Sequence, residues 1–128
     1  MEICSEAPGY REGWKSDITM WVNDVECATW TSTDDFGSRR GRYTPAFWPA
    51  GSSQYGILVT WEIKTDGTYV NHNKASDITI SDLGLERNPF IQMTIGNKED
   101  ARYVGGFNLF GKTFGNYEQD ILMELEYR

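Results

Sequence analysis

Gly106 to Thr113 spells G-x-x-x-x-G-K-T, the spacing with which a glycine-rich turn wraps a phosphate in backbone N–H groups at the start of a helix. The surroundings argue against that chemistry. Lys112-Thr113 runs into the turn Phe114-Gly115-Asn116, so no helix begins there. The variable positions hold Phe107, Asn108, Leu109 and Phe110, which are bulky for a phosphate cradle. No alternation of strands and helices encloses the motif. With four glycines and four aromatics between Val104 and Tyr117, the stretch reads as a compact glycine-rich β-connection with aromatics packed beneath it. Asn108 and Lys112 are its candidate ligand contacts; the plainer reading has Asn108 bonding backbone in a turn and Lys112 in water.

A second stretch, Ser32 to Pro45, is long, polar and the one basic cluster of the chain, with Arg39, Arg40 and Arg42. Connections above about 12 residues are usually functional or disordered, and the flanking aromatics Trp30, Tyr43, Phe47 and Trp48 suggest that this one is tied down. A guanidinium presents a planar fork that suits carboxylates, phosphates and sugar hydroxyls. Together, Trp30, Asp35, Arg39, Arg40, Trp48, Tyr55, Asn108 and Lys112 form a candidate site for a small polar ligand with an apolar face. The alternative is that the arginines pair with Asp34, Asp35 or the acidic last strand and only pin the loop.

Other reactive side chains are harder to assemble. Asp120, Glu124 and Glu126 fall on one face of a predicted last strand, and carboxylates two residues apart on a strand sit roughly 6–7 Å from each other, a spacing that glycosidases use. A solvated face is the simpler account. His72, the single histidine, sits in the polar turn Asn71-His72-Asn73 with no ligand or triad partner at suitable spacing. The pattern points to a non-catalytic protein with no cofactor and no metal.

The elements that must position these residues are short. Asp17–Asn23 alternates, Asn23-Asp24 makes a two-residue turn, and Val25–Thr31 returns, which predicts a hairpin. Gln54–Lys64 is the longest strand candidate, with Ile57, Val59, Trp61 and Ile63 on one face. Asp66-Gly67 then turns back through Thr68–Val70. A short extended piece follows at Ser76–Thr79, then one helical turn opened by Ser81, a strand over Pro89–Gly96, and a last strand over residues 120–127. Seven or eight strands without a long helix predict a single all-β domain over residues 1–128, a β-sandwich or jelly roll.

Composition narrows the partners. A net charge of −7 disfavours direct nucleic-acid binding by the chain and an anionic membrane surface. No apolar run approaches the roughly 20 residues of a membrane span. The acidic start, Met1 to Glu6, lacks the features of a signal peptide, so the expected compartment is the cytoplasm, with Cys4 and Cys27 reduced.

Several segments, taken in order, resemble a known family. They are Asp17-Ile18-x-x-Trp21-Val22-Asn23, Thr29-Trp30-Thr31, Phe36-Gly37-x-Arg39-Arg40-Gly41-Arg42, Tyr55-Gly56, Val104-Gly105-Gly106-x-Asn108-Leu109-Phe110-Gly111-Lys112 and Phe114-Gly115-Asn116-Tyr117-x-Gln119-Asp120-Ile121. From about Asp17 to Tyr127 the chain resembles the C-terminal domain of bacterial ArsR-like winged-helix transcriptional regulators. The resemblance implies the half that does not bind DNA, a sensor, effector or assembly module for a small polar ligand or a protein partner, with homodimerisation possible. The sequence has no helix-turn-helix, and it carries Asp34 and Ser38 where the family pattern has glycine. A carbohydrate-binding module is the alternative, since such folds present aromatics and polar loops to sugars.

Overall fold

The computed structural model describes residues 1–9 and 11–126. The fold is all-β, built as three small antiparallel sheets with two short 3-10 turns. Its strands are β1 (Glu2–Cys4), β2 (Ser16–Val22), β3 (Val25–Ser32), β4 (Ile57–Leu58), β5 (Trp61–Ile63), β6 (Thr68–Val70), β7 (Asn73–Ser76), β8 (Met93–Gly96) and β9 (Asn108–Phe110). The sheets run β4-β1-β9, β3-β2-β8 and β5-β6-β7.

The β2–β3 hairpin forms where its pattern places it. Asn23 and Asp24 take φ of 48° and 66°, the left-handed pair whose twist matches that of the flanking strands. Asn23 also accepts the Gln92 N–H at 2.9 Å, so the turn anchors the entry to β8. A second turn of this kind, Asn71-His72 with φ of 48° and 69°, joins β6 to β7. That hairpin starts β7 at Asn73, three residues earlier than the extended piece expected at Ser76.

Four expectations need correction. The strand expected over Pro89–Gly96 begins only at Met93, where its ladder with β2 starts opposite Val22. The long strand over residues 54–64 is broken at Val59-Thr60, because its first half pairs with β1 and its second with β6. Val59 N–H bonds Met1 O at 2.8 Å, while Thr60 N–H turns to Asn71 Oδ1 at 2.9 Å. The helical turn spans Ile80–Leu83 and opens at Thr79 rather than Ser81, since the Asp82 carboxylate accepts the Thr79 N–H at 2.9 Å. Residues 120–126 form no strand and are exposed; among the described residues no other strand offers 121–126 a backbone partner. Tyr127 lies outside the described residues.

Two apolar clusters make the core. Ile3, Ile18, Ala28, Val59 and Val70 form one; Met20, Val22, Cys27 and Leu83 form the other, and Trp61 and Ile95 pack against both. β1 is the central strand of its sheet although it is only three residues long. Its Ile3 and Cys4 are fully buried, and so is Glu2.

Candidate functional site

The two long loops singled out in the sequence meet, and buried carboxylates join them. Asp35 is fully buried. It accepts the Ala7 N–H at 3.2 Å and the Ser53 hydroxyl. Ser53 Oγ accepts Asn108 Nδ2 at 2.9 Å, and the Ser53 carbonyl accepts the Trp48 indole N–H at 3.0 Å. Asp35, Trp48 and Asn108, from three separate stretches of chain, therefore converge on Ser53. Ser53 was missing from the sequence reading because one serine in a serine-rich turn carries no signal.

Glu2 makes the second junction. Its carboxylate accepts N–H groups from Gly56 at 2.7 Å, Asn116 at 2.8 Å and Tyr117 at 3.1 Å. A buried carboxylate survives when donors of this kind replace its water. Gly115, with φ of 95°, lies so close to that carboxylate that a β-carbon would collide with it. The basic loop docks on the same turn: Tyr43 N–H bonds Gly115 O at 2.6 Å, and Arg42 N–H bonds Asn116 Oδ1 at 3.0 Å.

The arginines follow neither sequence expectation in full. Arg40 grips its own loop, donating to Pro45 O at 2.8 Å and to Trp48 O at 3.1 Å. Arg39 lies 4.2 Å over the Tyr55 ring, which packs on Phe36 at 5.1 Å. Phe36 is held at φ of 52°, a conformation rare for a bulky residue, and its carbonyl accepts the Gln54 N–H at 3.0 Å. Arg42 lies 5.2 Å over Tyr43. Among the described residues none of these arginines forms a salt bridge, so the arginines are held by carbonyls and rings, while Asp34 and Asp35 tie the loop down through N–H and hydroxyl donors instead.

The remaining candidates lie apart from this cluster. Trp30 pairs across from Ile18 and packs on the first core cluster. Lys112 is exposed, and its backbone N–H bonds Asp120 Oδ1 at 2.9 Å. Gly106–Thr113 runs through β9 with no helix after it, so the phosphate-loop spelling lies on a β-connection. The separation a strand would impose on Asp120, Glu124 and Glu126 lapses with the strand.

The thiols are protected. Cys4 is pushed up to about 12 by burial, with the Asp35 charge adding to the effect; burial also raises Cys27. Both are free. Asp34 is lowered: burial works against this, but the Gly13 N–H and the Thr33 hydroxyl outweigh it.

Two open, shallow depressions lie off the arginine loop. One, of about 320 Å³, is lined by Glu6, Ala7, Pro8, Trp14 and Val104–Gly106. The other, of about 370 Å³, is lined by Leu109, Phe110, Gly111, Asp120 and Ile121, where β9 meets the last segment. No helix among the described residues is long and apolar enough to cross a membrane. Comparison of the chain with protein-family models, curated proteins and solved structures finds no match.

Proposed function

We propose that this chain is a non-catalytic assembly domain that brings copies of a bacterial transcriptional regulator together, consistent with its resemblance to the C-terminal half of ArsR-like winged-helix proteins. One observation carries the reading. Ile121, Leu122, Met123 and Leu125 are 46%, 68%, 48% and 47% exposed in a segment without strand pairing. A run with strand-like alternation, left unpaired and apolar, is a site for another polypeptide. Next to it β9 is paired on one side only. In the arginine loop, in contrast, Arg40 holds backbone carbonyls while Arg39 and Arg42 lie on rings at the exposed surface, which supports an open surface there over an enclosed ligand cradle.

Sedimentation velocity over a wide concentration range, run beside a thermal-shift screen of sugars, sugar phosphates, carboxylates and nucleotides, tests the proposal. The expected result is a reversible dimer that Leu122→Asp converts to monomer, with a blank screen. A ligand at 100 times its Kd adds about 2.7 kcal/mol. A hit of that size, abolished by Arg39→Ala, would replace assembly with small-ligand sensing.

A further inference from the structure

We infer that the segment 118–126 docks on the arginine loop and its Phe47 turn in a second copy of this chain, reciprocally, about a two-fold axis. The inference rests on the assembly reading and names the surface that receives the segment.

Phe47 is 84% exposed, yet its turn is held from both sides. The Arg40 guanidinium bonds Pro45 O and Trp48 O, the Trp48 N–H bonds Pro45 O at 3.0 Å, and the Trp48 ring is seated edge-on against Phe114 at 4.9 Å. An aromatic side chain presented on a fixed turn loses little conformational entropy on binding, which is what an interface anchor requires. The loop that leads into this turn carries Arg39, Arg40 and Arg42, all exposed and without carboxylate partners among the described residues.

The last segment is the chemical complement of that turn. Ile121, Leu122, Met123 and Leu125 supply apolar side chains for Phe47. Glu118, Asp120, Glu124 and Glu126 are exposed and form no salt bridge among the described residues. Within one copy the basic and acidic groups do not pair, although the bonds from the Arg42 and Tyr43 N–H groups to Asn116 and Gly115 dock the arginine loop on the turn that leads into the acidic segment. Two complementary half-patches on one chain are self-complementary. A two-fold rotation lays each on the other and closes the assembly at two copies.

Charge reversal in two separate variants tests this directly. Arg39→Glu with Arg42→Glu inverts one half-patch and leaves Arg40, which holds the turn, untouched. Glu124→Lys with Glu126→Lys inverts the other. Each variant alone is expected to associate at least tenfold more weakly than wild type in sedimentation velocity, as is Phe47→Ala. The equimolar mixture of the two reversal variants should regain a dimer near wild-type strength, which also shows that both are folded. In the wild type, amide protons of residues 45–48 and 121–126 should gain exchange protection together as concentration rises. A wild-type dimer unchanged by Phe47→Ala and both reversals, or reversal variants that stay monomeric when mixed, overturns this inference and leaves the assembly reading standing. A wild type that is monomeric at every concentration overturns both.

Discussion

Glu2 and Cys4, two residues apart on one strand, make opposite demands on their surroundings. Glu2 needs donors: both oxygens of its buried carboxyl group accept backbone N–H groups, three in all, and Glu2→Gln turns an amide donor toward at least one of them. A loss of about 3 kcal/mol in urea unfolding is expected, since charge-assisted bonds contribute about 1.5–3 kcal/mol each and an orphaned buried donor costs more. Cys4 must stay neutral. Its thiol, raised to about 12 in the fold against an ordinary value near 9, keeps its proton where the unfolded chain has given it up. The folded state is thus fully favoured below about pH 9 and loses that advantage as pH rises toward 12. Alkylation of Cys4 at pH 8 should follow the rate of unfolding and not reagent concentration. A thiol labelled at the rate of a free cysteine would contradict its protected state.

Tight turns set the register at the scale of strands, and two substitutions probe them. Asp24 sits at φ of 66° with its side chain exposed, so Asp24→Gly should stabilise by about 0.4–1 kcal/mol in denaturant titration. Gly56 has the reverse logic. A β-carbon there would lie 2.6–2.8 Å from the backbone of Ile3, and Gly56→Ala should cost about 1–3 kcal/mol as β1 and β4 are forced apart. Elements with local signals were legible in the sequence. The β2–β3 hairpin has alternation on both sides of Asn23-Asp24, and the β5–β6 hairpin has Asp66-Gly67. Elements defined by distant partners were not. Glu2-Ile3-Cys4 is too short to show a period and is a strand only because β4 and β9 flank it. Ile57–Ile63 alternates except at Leu58 and still divides, because two sheets compete for it. Residues 120–126 alternate just as well and find no partner. In the site, Asp35, Trp48 and Asn108 could be named as residue types, but their meeting at Ser53 depends on long-range closure that no local pattern encodes.

Taken whole, the molecule keeps its stability and its proposed contact surface in different places. The last segment is exposed along its length, so Leu122→Asp should shift monomer stability by no more than about 0.5 kcal/mol while abolishing association; a large drop in the thermal midpoint of the monomer would mean that the segment is part of the core after all. The β1 sheet, by contrast, is drawn together across long stretches of sequence. Glu2 bonds Asn116 across 114 positions and Tyr117 across 115. Topologies of this kind fold in milliseconds to seconds, but during synthesis the chemistry of folding is not the slow step. β1 leaves the ribosome before both of its partner strands, with its carboxylate and a bare edge on each side, and β9 and the Asn116 turn emerge only some hundred residues later. At roughly 5–20 residues per second that is a wait of about 5–20 s. Throughout that interval the nascent chain carries an incomplete sheet, and a chaperone that shields residues 2–4 until Tyr117 is made would be acting at the one point where this fold is vulnerable.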